Sequence, residues 1–250
     1  MKTLTTRRWL IAQRPLGRAL VGSDFQMDEA PLAPVAEGQV LLRTMYLSFD
    51  PAQKGYMENV ATYAEPTEVG SVMPGQGVAQ VMESRSPKYS AGAVVSGPIG
   101  WREYGVFDTT KLEPVPDGVA PTAALGVLGM TGRTAYFGLF HVGCPRAGDV
   151  LVVSGAAGAV GSVVGQLGKI AGCKVIGIAG GAEKCAWLVR DLGFDAAIDY
   201  KTGKLRSRLR ELCPKGIDVV FDNVGGSILN DCLGRLAFGA RVAICGGISR

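Results

Sequence analysis

Residues 150–184 read VLVVSGAAGAVGSVVGQLGKIAGCKVIGIAGGAEK, and their types and spacing point to the binding of a phosphorylated ligand. A strand-like run is followed by a glycine-rich turn, an apolar helix and a second strand. Against the G-x-G-x-x-G spacing, Ala156, Gly158 and Gly161 fall on the three key positions. A residue without a side chain at 158 lets the backbone approach a pyrophosphate closely. Another at 161 lets the following helix lie near the strand, and the first amides of that helix face the anion. Alanine at the first position makes the tight turn less freely than glycine does. A turn of this composition also serves as a plain strand-to-helix link; the complete βαβ unit around it favours the nucleotide.

The end of the second strand bears on which nucleotide. In sites for the unphosphorylated dinucleotide, a carboxylate about 20 residues past the loop start bonds the ribose hydroxyls. Here the strand runs out into Ala179-Gly180-Gly181-Ala182. Two glycines leave room for a 2′-phosphate, and Lys184, in the first turn of the next helix, can meet it as a point charge. On this reading NADP(H) is favoured over NAD(H). Glu183 could reach the ribose instead, and both Glu183 and Lys184 also read as ordinary solvated helix residues.

Other chemistries find little support. A catalytic zinc takes three protein ligands, yet His141 is the single histidine and no cysteine precedes Cys144. His141 itself reads as a helix-end surface or packing residue. A Ser-His-Asp triad would have to recruit it, and no G-x-S-x-G precedes a helix. Hydride chemistry supplied by a cofactor remains. The 26 Lys and Arg against 22 Asp and Glu leave a net charge of +4, which demands no nucleic-acid partner. No apolar run reaches the roughly 18 residues of a membrane span, and the opening MKTLTTRRWLIAQRPLG has too short an apolar stretch for a signal peptide. Six scattered cysteines with no C-x-x-C pair fit a reducing, cytoplasmic setting.

The elements that must position these residues fall into two halves. Up to about Pro116, strand-length runs such as GQVLLRTMYLSFDP and QGVAQVMESRSPKYSAGAVVSGP are divided by Pro, Gly, Ser and Asp. They predict an antiparallel, barrel-like β domain over residues 1–117. The segment EPVPDGVAPT makes the junction. From 118 to 250, apolar strands alternate with amphipathic helices, which specifies an α/β, doubly wound parallel sheet of dinucleotide-binding type. Its last elements read as a helix over SILNDCLGRLAFG and a strand over RVAICGG. The basic run KTGKLRSRLRELCPKG reads as a solvated amphipathic helix.

With MYLSFDPAQKGYM, PGQGVAQV, MTGRTAYFGL, VVSGAAGAVGSVVGQLGKIAGCKVIGIAGGAEKC, LGFDAAIDYK, FDNVGG and RVAICGGIS, the chain resembles the zinc-free medium-chain reductases. Within them it is similar to the prostaglandin reductase, leukotriene hydroxydehydrogenase and curcumin reductase branch. The resemblance spans nearly the whole chain. It implies a GroES-like β domain before the nucleotide fold, and NADPH-dependent reduction of small α,β-unsaturated ketones and aldehydes. Gly158, Ala159, Val160 and Gly161 would line the pyrophosphate. Lys184 and Tyr200 would contact the 2′-phosphate, and Asn223 the ribose or nicotinamide side. Met130, Thr131 and Thr134 would lie beside the nicotinamide, as would Cys245 and Gly246. Met130 and Thr131 read equally as helix-start packing. Tyr46 would face the substrate; on its own it reads as well as a strand tyrosine packed at the domain edge. Gln76 stands where zinc-dependent relatives have a metal ligand, and Ala52-Gln53 replaces a Tyr-Met pair common in relatives. Beyond GGISR, relatives continue with a tyrosine segment that supports an enolate and with further strands and helices. The chain is therefore expected to be a C-terminally truncated fragment, and a homodimer is the expected state only of a full-length form. Two other functions stay open: a zinc-free quinone reductase on the same scaffold, and a non-catalytic NADPH-binding protein.

Overall fold

Period-two alternation builds the first unit, Met1–Leu125, of the computed structural model, which describes residues 4–58 and 67–249. Strands β1 (Thr5–Ile11) and β2 (Phe25–Pro31) pair antiparallel, from Thr5 opposite Pro31 to Ile11 opposite Phe25. β3 (Gln39–Leu47) leads through the short helix α1 (Ala52–Met57) to β4 (Gly77–Ser84). β5 (Val94–Gly97), β6 (Tyr104–Asp108) and β7 (Glu113–Pro114) follow. The five strands β3 to β7 form an antiparallel sheet in the order β6-β3-β4-β5-β7. Val40, Leu42, Ala79, Val81 and Val95 alternate inward along three of them and close a core with Ile99 and Leu112.

The second unit, Gly126–Arg250, is the α/β sheet. Helix α2 (Met130–Phe137) precedes β8 (Val150–Ser154), α3 (Ala159–Ile170), β9 (Lys174–Ala179) and α4 (Ala182–Arg190). Then come β10 (Ala196–Asp199), α5 (Leu205–Leu212), β11 (Ile217–Asp222), α6 (Gly226–Leu233) and β12 (Leu236–Ile244). All five strands run parallel in the order β10-β9-β8-β11-β12. The strands are apolar on both faces because both faces are covered. Leu151, Val153, Val175, Val219 and Phe221 pack under α2, α3 and α4, meeting Ala135, Val164 and Leu188. Their neighbours Val152, Ile176, Ile178 and Val220 point the other way, onto Leu205 and Leu209 of α5 and Cys232 of α6.

One element differs from the sequence pattern. The helix expected to run to Gly239 stops at Leu233, and LAFG belongs to β12. Leu236 pairs with Ile217, and the ladder then shifts before Val219 meets Arg241. Gly216 makes this possible: at φ +104°, it leaves the Ala237 backbone 2.7 Å from where a Cβ would stand. Among the described residues, no helix is long and apolar enough to cross a membrane.

Candidate functional site

β8 ends at Ser154, and the chain turns at Gly155, whose φ of +57° lies in the left-handed region that favours glycine. The tight-turn residue is thus Gly155, one position before the Ala156 that the motif spacing selects. Ala156 serves inward instead. It is fully buried, and its amide donates to the Ile178 carbonyl at 3.0 Å, tying the loop to β9. Gly158 caps α3 with no side-chain bond, so the first-turn amides at Ala159, Val160 and Gly161 meet no capping side chain. A Cβ at Gly161 would stand only 2.4 Å from the Gly155 carbonyl, so the helix start presses directly on the loop. Open helix amides backed by the positive end of a helix dipole make a cradle that can take an anion.

The cradle sits where the sheet changes direction. β8 lies between β9 and β11, so the chain leaves β8 to one side and returns on the other, the crevice where such sheets take ligands. Two buried side chains lock its edges together. Ser154 Oγ donates to Asp222 Oδ1 at 2.6 Å and accepts from the Asn223 amide at 2.9 Å. Asp222 also accepts from the amides of Val224 and Gly225. Asn223 Nδ2 donates to the Ser154 carbonyl at 2.7 Å, which leaves its Oδ1 as a free acceptor among the described residues. The Asp222 carbonyl takes the amides of Cys245 and Gly246, and a Cβ at Gly246 would lie 2.9 Å from the Asn223 carbonyl. Gly155, Gly158, Gly161, Asn223, Cys245 and Gly246 therefore share one sheet edge.

A second seat forms at the end of β9. A Cβ at Gly180 would stand 2.9 Å from Tyr200 Cε1, 3.0 Å from Lys201 Cε and 3.1 Å from the Tyr200 hydroxyl. A side chain at that position would have to displace the Tyr200 ring and the end of the Lys201 side chain. Lys184 is exposed in the first turn of α4, as is Glu183.

Residues 7–115 match the family described as the N-terminal domain of oxidoreductase, and residues 159–250 the family described as zinc-binding dehydrogenase. The NADPH-dependent curcumin reductase of Escherichia coli (strain K12) is 45% identical over 246 residues, 97% of this chain and 70% of that one. Prostaglandin reductase 1 of Bos taurus is 42% identical over 248 residues, 97% of this chain and 73% of its own. The crystal structure of CurA in complex with NADPH from Vibrio vulnificus superposes with a TM-score of 0.93 at 42% identity, covering 97% of this chain and 72% of that one. The chain belongs to the medium-chain reductases of the curcumin and prostaglandin reductase branch.

In this reductase, α2 carries Met130, Thr131 and Thr134 and packs on α3 through Ala135 and Val164. Met130 is half exposed, and among the described residues no side-chain hydrogen bond joins any of the three to the loop at 155–161. Tyr46, in the first unit, is 44% exposed and lines a cavity of about 400 Å³ with Trp9, Met27 and Met45. Gln53 turns inward: it accepts from the Asp50 amide and donates to the carbonyls of Ser48 and Pro74. Its place in the chain is structural, a staple for the 48–53 turn. Gln76 is half-buried, and its carbonyl accepts from the Ser48 amide at 2.9 Å. His141 is exposed, its ring against Phe137. Among the described residues no three His, Cys, Asp or Glu side chains group to hold a metal. Sequence reasoning missed Gly155, Ser154 and Asp222. They had a visible signal, a Ser-Gly pair and an Asp at the ends of two apolar strands.

Proposed function

We propose that this reductase uses NADPH to reduce the carbon–carbon double bond of α,β-unsaturated ketones or aldehydes, without zinc. When bound, the nicotinamide supplies a hydride from C4 to the substrate β-carbon. The observation that carries the reading is the seat at Gly180. The β9 end carries no carboxylate there, and a tyrosine hydroxyl and a lysine side chain pack on the glycine. The α3 amides at Ala159, Val160 and Gly161, with Gly158, hold the pyrophosphate. Lys184 and Tyr200 take the 2′-phosphate, and Asn223 Oδ1 accepts from the ribose or the carboxamide. Met130, Thr131, Thr134, Cys245 and Gly246 border the nicotinamide end. Tyr46 is the candidate hydrogen-bond donor to the carbonyl oxygen on which negative charge develops. The sole histidine, and a first unit without cysteine, support a metal-free site.

The test mixes the purified chain with NADPH and a 2-alkenal, and in parallel with a quinone. Loss of reduced-nicotinamide absorbance with the alkenal, giving the saturated aldehyde, supports the reading; turnover of the quinone alone overturns it. The Lys184→Ala variant should raise the Kd for NADPH about tenfold, the worth of one charge-assisted contact, and that for NADH far less. Equal losses for both cofactors remove its phosphate role, and zinc in the active protein by elemental analysis removes the metal-free reading.

A further inference from the structure

We infer that Asp199 is the positioning residue that folds Tyr200 and Lys201 over Gly180, and that Lys201 is a second cation for the cofactor's 2′-phosphate. Asp199 is the last residue of β10 and pairs with Ala179, the last residue of β9. Its Oδ1 accepts two amides at once, from Gly181 at 2.9 Å and from Lys201 at 3.0 Å. One oxygen thus joins the start of α4 to the turn that follows β10. Thr202 Oγ1 closes that turn on the Asp199 carbonyl at 2.9 Å, and Gly203, at φ +70°, ends it. The consequence is the close packing of the Tyr200 ring and the Lys201 stem on Gly180, at about 3 Å from an added Cβ. Lys201 is exposed and its ammonium makes no salt bridge among the described residues, though its charge acts on the neighbouring Asp199.

The carboxylate does not stand in for the acid of an NAD site. Its bonding oxygen is committed to backbone donors, which hold its pKa below the usual carboxylate range, the Gly181 amide first and the Lys201 amide second. What the seat requires of residue 199 is an acceptor in that place, and asparagine offers one.

The inference rests on the NADPH reading above, and the test separates the two. The full chain is titrated by calorimetry with adenosine 2′,5′-bisphosphate and with AMP, which differ only in the 2′-phosphate. Lys201→Gln should weaken the bisphosphate about tenfold, the scale of one charge-assisted bond, while AMP is unchanged. Asp199→Ala should reduce the preference for the bisphosphate by a similar or larger factor, and Asp199→Asn should keep it. Circular dichroism confirms that each variant is folded; Lys201→Gln, on the surface, stays informative if Asp199→Ala is not. Three results overturn the inference: the preference survives Lys201→Gln, it survives Asp199→Ala, or Asp199→Asn loses it as fully as alanine does. A wild-type chain that binds both probes equally sinks the NADPH reading itself.

Discussion

Ser154 shows how much one hydroxyl does at this sheet edge. It donates to the buried Asp222 and accepts from the Asn223 amide, so removing it strands that amide and takes one donor from Asp222, which keeps the amides of Val224 and Gly225. An unmade buried hydrogen bond costs about 1–3 kcal/mol. Ser154→Ala should therefore destabilise the protein by about 2 kcal/mol in urea unfolding, with the slope of the transition unchanged. It should also weaken nucleotide binding, because Asn223 is placed by the same pair of strand ends. A variant as stable as the parent would show that water replaces the hydroxyl. Asn223 was legible in the sequence as a polar residue after an apolar strand. The bond partners that aim it were not, since Ser154 lies 69 residues away.

At the level of elements, α3 explains its own composition. A helix with glycine at 161, 165 and 168 is weak by propensity, at roughly 1 kcal/mol per glycine against alanine. The three share the buried face because they lie against something. A Cβ at Gly165 would stand 1.8 Å from Phe194 Cζ, and one at Gly168 2.4 Å from Leu151 Cδ2. Gly165→Ala thus sets a propensity gain of about 1 kcal/mol against overpacking of about 1–3 kcal/mol in a fully enclosed ring. Overpacking wins, so the variant should unfold at lower urea. Adding Phe194→Leu should recover part of the loss, giving a coupling energy above about 0.5 kcal/mol in a double-mutant cycle. Additive effects would mean that the helix shifts away from the ring. The pattern of apolar residues made α3 legible as a helix, and the alternation of strand and helix made the parallel sheet legible with it. The stop of α6 at Leu233 was not. LAFG has helix-like spacing, and the close backbone approach of Gly216, just before β11, accompanies its pairing into β12.

Across the whole molecule, acid is the condition to which this fold is most exposed. Carboxylates in both units are held below their ordinary range by donors. In the first unit the Arg18 guanidinium, at 2.5 Å, acts first on the buried Asp24, against a burial penalty, and the Val21 amide and Gln13 add to it. In the second, burial works against Asp149 and Asp195. The bonds from Arg241 to the one and from Lys169 to the other overcome it, each helped by a backbone amide. A carboxylate depressed in the folded state stabilises that state fully above its unfolded pKa, near 3.9 for Asp. The contribution is lost as pH falls through the folded value, because there the unfolded chain binds more protons. Protonation of 22 acids also leaves 26 Lys and Arg unopposed, and their repulsion adds in the same direction. The Tm should accordingly hold nearly level down to about pH 5 and fall steeply below about pH 4. Asp24→Asn should lower the Tm at neutral pH and flatten the acid limb, since the variant has already lost what acid removes. A Tm that stays level to about pH 3, or an acid limb as steep in Asp24→Asn as in the parent, would show that these ion pairs are not what acid breaks.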